Sequence, residues 1–250
     1  MKNDLLKSLL VVSAVSMLVG CGSGSSVTSG VDGEVVPDAP VGVDGEVVPD
    51  APVGVDEEVV PDAPVSTLSQ ELKDSITYMY NEEGLAYDVY MNIYKIQPVN
   101  QLQNIAMNSE TKHIEEVNNL AIKYDLNMTQ YPDTDVPYSI EGIGDGNYSV
   151  EPIQDLYTLL YDKGINSRQD ALEVGCMVEV VDIDDLDEYI ELAEESNASD
   201  VLAVFNILIS GSYKHYWTFH DALIGMGVAD GCCEMAKDLG HETCPTYPRN

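Results

Sequence analysis

An all-α fold, a four-helix bundle with one long crossover that contains a short extra helix, follows from three features of this sequence. Apolar residues recur three and four positions apart through four long segments, the spacing of a helix with one buried face. Each segment carries its own start signal. The order is long, long, gap, long, long, and the gap between Leu126 and Ser167 has room for a connection that runs the length of a bundle.

The first segments of the chain are not helical-bundle material. Residues 1–20 carry Lys2 and Lys7, an apolar run from Leu9 to Val19 and small residues before Cys21, the layout of an export signal and too short for a convincing membrane span. Its end, Leu18-Val19-Gly20-Cys21, resembles the lipobox of bacterial lipoproteins, which implies lipidation of Cys21; the alternative is a plain secretory signal with an incidental cysteine. Residues 21–65 hold three near-identical dodecads, GVDGEVVPDAPV twice and GVDEEVVPDAPV once. Two prolines per unit exclude helix interiors and sheet ladders, and ten acidic residues without a lysine or arginine keep the stretch extended. It reads as a stiff tether.

A helical domain is expected over residues 66–228, followed by a cysteine-containing tail, 229–250. The first helix should run from about Leu68 to Ile96, opened by Thr67 with Gln70 and closed before Pro98. The second should run from about Gln101 to Leu126 behind Asn100 and Gln103 as cap pair. A stretch rich in Pro, Gly, Asp and Tyr, Asn127 to Ser149, leads to a short amphipathic helix, Ile153 to Asp162. The third long helix follows Ser167 and reaches about Glu195; the fourth begins near Ser199 and stops at Gly225 and Gly227.

The buried stripes are interrupted by ionisable residues. In the second helix the stripe is Ala106, Glu110, His113, Val117, Leu120 and Tyr124, so Glu110 and His113 face the core. In the first it is Ile76, Met79, Glu83, Ala86, Tyr90 and Ile93, although Glu82 fits a similar stripe and periodicity alone does not separate the two. Glu179 and Asp182 interrupt the third stripe, and His215 the fourth. Singly, each has an ordinary explanation: a local hydrogen bond, a solvated turn, a satisfied core histidine. Together they place carboxylates and imidazoles in one interior whose stripes carry no lysine or arginine, and unpaired buried charge costs several kcal/mol or more. Two divalent cations would match four carboxylates, and the imidazoles suit iron or manganese better than calcium or magnesium. Cys176, beside the third stripe, is expected to be a small buried apolar residue.

Several phrases resemble a known family. Glu83-Gly-Leu-Ala86-Tyr-Asp-Val-Tyr90 resembles the first-helix signature of ferritin-like proteins, which favours Glu83 over Glu82; Glu110-x-x-His113 resembles their second-helix motif and Glu179-x-x-Asp182 the paired acids of rubrerythrins. More closely, NEEGLAYDVY, NIAMNSETKHIEEV, LYTLLYDKGINSRQDALEVG, VDIDDLDEYI and NILISGSYKHYWTF are similar to a ferritin-like domain family of unknown function from bacteria and archaea, over roughly residues 70 to 225. The resemblance implies a ferritin-like bundle and a dinuclear iron or manganese site, held by Glu83, Glu110, His113, Glu179, Asp182 and His215. It also exposes a departure: Ser212 stands where a fourth-helix Glu-x-x-His would place glutamate, and Asp182 is the residue that could compensate.

Of the remaining groups, Tyr90 could hydrogen-bond a ligand or simply pack, in a chain with 15 tyrosines and two phenylalanines. His220 falls off the stripe. In the tail, one of Cys232 and Cys233 is expected to pair with Cys244, leaving a thiol unexplained; a soft-metal site with His241 is the alternative. The formal charge of −33, from 44 acidic and 11 basic residues, argues against nucleic acid and against electrostatic attraction to anionic lipid. The expectation is a protein of the cell envelope, joined to the membrane only through its lipid. Its partners would be metal ions, oxygen or peroxide and a second copy in a homodimer. The activity would be Fe(II) oxidation or oxygen/peroxide reduction, against a rival reading as a non-catalytic metal-binding or structural domain.

Overall fold

The structure, a computed structural model, describes residues 68–126, 144–148 and 151–249. The signal segment, Cys21, the repeats and most of the Asn127–Ser149 stretch lie outside the described residues.

Among the described residues all regular structure is helical: α1 (Gln70–Ile96), α2 (Asn100–Ile105), a π-helical turn (Ala106–Glu110), α3 (Thr111–Lys123), α4 (Glu151–Gly164), α5 (Arg168–Glu195), α6 (Ser199–Gly225) and α7 (Cys233–Asp238). No described helix is long and apolar enough to cross a membrane. The second predicted helix is thus two α-helical pieces joined by a π turn. Two start signals differ from expectation. α1 is capped by Ser69, whose hydroxyl accepts from the Leu72 amide, rather than by Thr67. At α2 the cap position is Val99, with no side-chain bond, so Asn100 and Gln103 form no cap pair. The Ser167 cap of α5 is as expected, its hydroxyl accepting from the Asp170 amide.

The four long elements close a ring: α1 packs on α3 and α5, and α6 packs on those same two helices. The chain passes from α3 to α5 across this ring, which is why the second connection must be long. Within it, α4 packs on both α1 and α5. Asp88 of α1 anchors the preceding turn: its carboxylate accepts from the amides of Gly144 and Gly146 and from the Tyr148 hydroxyl at 2.6 Å. Aiming both amides at one side chain requires left-handed backbone, φ +100° at Gly144 and +67° at Gly146, which glycine adopts without strain.

Leu72, Ile76, Met79, Ile93, Leu102, Leu172, Phe205 and Phe219 are fully buried between the helices. Burying each such side chain contributes about 1.5–3 kcal/mol, so the core can tolerate a few buried polar groups. The tail is fastened to this body covalently. Cys232 is joined to Cys176 of α5, and Cys233 to Cys244. The second bond is one of the two expected pairings. The first corrects the reading of Cys176 as an unpaired apolar residue and accounts for the leftover thiol; with all four sulfurs bonded, the tail offers no thiolate for a soft metal. Trp217 donates to the Tyr247 carbonyl, and Arg249 stacks 3.8 Å above the Trp217 ring while pairing with Asp221.

Candidate metal centre

Halfway along the bundle, α1, the π turn, α3, α5 and α6 each turn at least one ionisable side chain inward. Glu83, Glu110 and Glu179 are 2 % exposed, and His113, Asp182 and His215 are also buried. Glu110 ends the π turn. Such one-residue expansions of a helix are frequent at functional sites, and this one ends on the central carboxylate.

The side chains form two triads that share Glu110. On one side, His113 Nδ1 lies 3.0 Å from Glu110 Oε2 and 3.1 Å from Glu83 Oε2. On the other, His215 Nδ1 lies 3.2 Å from Glu110 Oε1 and 3.3 Å from Glu179 Oε2. Within each triad the ligand-type atoms lie within 4.8 Å of one another, close enough to hold a metal ion. The two oxygens of Glu110 therefore serve one histidine each, the geometry of a bridging carboxylate. The rings stack with centroids 5.6 Å apart.

The surroundings orient this set. Tyr90, fully buried against Phe219, donates to Glu179 Oε1 at 2.5 Å and so aims the other oxygen at His215. Ser109 Oγ approaches His113 Nε2 at 3.5 Å. Gly211 of α6 gives the His113 ring its room, since a Cβ there would lie 2.5 Å from Nε2. An open groove lined by Asn100, Gln101, Asn104, Ile105, Asn108, Ser109 and Thr218 reaches His215 from outside.

Asp182 stands outside both triads. The Ser212 hydroxyl donates to its Oδ2. The position lacking a glutamate on α6 therefore faces an acid supplied by α5. The ambiguity between Glu82 and Glu83 also resolves: both are buried, but only Glu83 meets a histidine.

Charge in the centre is held by protons where cations would otherwise serve. Burial works to lower His215, but the charges of Glu179 and Glu110 outweigh it and push the imidazole up to about 10; His113 is raised in the same way by Glu83 and Glu110. Glu110 is driven well below the usual carboxylate range because the two imidazoliums overcome its burial. Burial, helped by neighbouring acids, raises Glu83 and Glu179 and pushes Asp182 up to about 7. Even so, Glu83 Oε1 and Asp182 Oδ1 are buried without any hydrogen-bond partner, a condition that costs about 1–3 kcal/mol per group. Carboxylates with spare lone pairs, and imidazoles that gain one on losing a proton, with no lysine or arginine among them, fit first-row divalent metals.

Tyr90, Ser109 and Gly211 were not identifiable as parts of the centre from spacing alone, beyond Tyr90's place on the stripe. Gly211 carries the one usable signal, a glycine in a helix interior four residues before a core histidine.

Residues 72–236 match the family described as "uncharacterized protein domain (DUF2202)". The chain is 34 % identical over 152 residues to uncharacterized protein MJ0754 of Methanocaldococcus jannaschii, covering 61 % of this chain and 75 % of that protein. The crystal structure titled hypothetical protein MJ0754, from Methanococcus jannaschii, superposes with a TM-score of 0.58 at 29 % identity, over 72 % of this chain and 98 % of the other.

Proposed function

The chain belongs to the DUF2202 domain family, and from its buried carboxylate–histidine cluster we propose a ferritin-like protein with a dinuclear iron or manganese centre, acting in the cell envelope on Fe(II), oxygen or peroxide. The observation that carries the reading is the sharing of Glu110 by two His/Glu triads. One ion would take Glu83, Glu110 and His113, the other Glu110, Glu179 and His215, with Asp182 and Ser212 beside them.

Bound there, an iron pair would supply two electrons, one per ion, as many as the reduction of peroxide to water consumes. The protein's own residues do the rest. Glu110 would be the shared ligand, with one oxygen on the His113 side and the other on the His215 side. Tyr90 keeps Glu179 turned toward His215, and its hydroxyl remains protonated because burial and the Glu179 charge raise it well above its ordinary range. His113 and His215 must shed the protons that pair them with the carboxylates before they can ligate, so loading releases protons. The groove, whose lining holds amide and hydroxyl side chains, Ile105 and no carboxylate, gives a small neutral oxidant a route to His215.

Placement in the envelope is supported by the Leu18-Val19-Gly20-Cys21 lipobox, the acidic tether and two disulfides, which persist outside reducing compartments. The test is anaerobic reconstitution with Fe(II), then addition of oxygen or peroxide under visible spectroscopy. Two ions per chain and prompt oxidation are expected. Stoichiometric metal with no redox response would leave a binding module, and less than one ion per chain would remove the dinuclear reading.

A further inference from the structure

Two buried acids are used by neither triad. Glu82 and Asp185 are each 9 % exposed, and each keeps one carboxylate oxygen, Glu82 Oε2 and Asp185 Oδ2, fully buried with no hydrogen-bond partner. Their surroundings explain why. Glu82 borders a small cavity otherwise lined by Leu85, Leu156, Leu160, Met177, Val178 and Val181, none of which can donate a side-chain hydrogen. Asp185 is held by the Tyr78 hydroxyl, which leaves its other oxygen free. Two buried carboxyls with unpartnered oxygens, one of them against an apolar cavity, are costly for the fold.

Their position gives them a use. On α5, Glu179, Asp182, Asp185 and Glu188 follow at intervals of three, so each is a neighbour of the next while the file winds half-way round the helix, from the buried side at Glu179 to the opposite, exposed side at Glu188. Exposure falls along this file, from exposed Glu188 through Asp185 at 9 % and Asp182 at 5 % to Glu179 at 2 %. Glu82 lies alongside: its strongest charged neighbour is Asp185, then Asp182, then the centre's own Glu83 and Glu179. Asp185 in turn feels Glu188 and Asp184. The file contains no lysine or arginine; a histidine meets it at each end, His215 at Glu179 and His241 at Asp184, the latter 3.0 Å from Oδ2. Glu82, Asp182 and Asp185 do not converge as the two triads do, so they do not close a third coordination sphere.

Resting on the dinuclear reading above, we propose that Glu82 and Asp185 form a transit station that takes a divalent cation from the acidic surface at Glu188 and Asp184 and passes it to the centre. A hydrated divalent ion entering the bundle loses water ligands, and the free oxygens of these two residues replace them on the way. Acid-lined passages raise cation on-rates by tenfold or more, so the function of the station lies in the rate of loading and not in its end point.

The test is stopped-flow mixing of the full, metal-free chain with Co(II), following the visible absorbance of the ion in its final site. The variants are Glu82→Gln, Asp185→Asn and both together, with Glu115→Gln as an exposed α3 control of equal charge change. The double variant is expected to load roughly tenfold or more slowly. It should reach the wild-type stoichiometry and spectrum, and the control should load at the wild-type rate. Wild-type loading rates in the double variant would overturn the station, as would a lowered final stoichiometry, which would make the two acids resident ligands. Failure of the wild-type chain itself to bind Co(II) would overturn both the station and the centre, and is distinguished by that fact. Circular-dichroism melts of each variant identify any that do not fold, and Glu82→Asp, which keeps the carboxylate, should recover most of the lost rate.

Discussion

Replacing Gly211 by alanine should separate the stability of the bundle from the integrity of its centre. The added Cβ would lie 2.5 Å from His113 Nε2 and 2.6 Å from Cε1. Carbon contacts settle near 3.5–4.0 Å, so the ring must withdraw by roughly 1 Å. It has little freedom to do so, being 4 % exposed, stacked on His215 and held through Nδ1 by Glu83 and Glu110. Metal–ligand distances tolerate only about 0.2 Å. Disturbing a residue that positions a ligand typically weakens metal affinity 10- to 100-fold, about 1.4–2.8 kcal/mol. The same substitution gains about 1 kcal/mol of helix propensity, which offsets the cost of moving the ring in the metal-free chain. Calorimetric titration with Mn(II) or Co(II) should therefore show the weakened affinity, while metal-free thermal melts stay within a few degrees of wild type. Unchanged affinity in Gly211→Ala would mean that no metal depends on His113, and the reasoning would fail.

Tyr90→Phe removes the hydroxyl that aims Glu179; it should destabilise the metal-free chain by about 1–3 kcal/mol in denaturant melts and weaken the ion on the His215 side, whereas a purely packing role would leave both unchanged. Metal-free stability should decline as pH rises. Asp182 and Asp185, pushed up to about 7 by burial first and neighbouring acids second, favour folding fully only below their ordinary range near 4, and this contribution is lost as pH climbs through 7. His215 has the same sign: its contribution is complete below about 6.5 and lost as pH rises toward about 10. Melts in chelator from pH 5 to 9 should thus show a falling midpoint, and a rising one would contradict the buried proton arrangement. Removing the Cys176–Cys232 bond, whose ends are 56 residues apart, should cost about 4 kcal/mol, and the Cys233–Cys244 bond, with a separation of 11, about 3 kcal/mol. Chemical denaturation of the paired alanine variants measures both, and equal losses would argue against the loop-entropy explanation.

Much of the centre was legible because burial leaves a periodic trace. Glu110, His113, Glu179, Asp182 and His215 each replace an apolar residue on a three-and-four stripe, and all five are buried. The trace fails where a helix is covered on more than one side. α1 packs against α3, α4 and α5, so Glu82 and Glu83 are both buried and periodicity cannot rank them. The π turn left no signal, because it is a change of hydrogen-bond partner that residue propensities do not encode. The Cys176–Cys232 bond was missed for a different reason: Cys176 fits an apolar position equally well with or without a partner, and the partner comes from a tail that follows α6. Gly211 shows the converse, a helix position at which the missing side chain matters only because of a ring on another helix.

The most direct measurement is anomalous diffraction from crystals of the chain loaded with Mn(II) or Fe(II). A dinuclear centre requires two peaks about 3.5–4 Å apart, one beside His113 and Glu83, the other beside His215 and Glu179, with Glu110 between them. A single peak, or none inside the bundle, would contradict it.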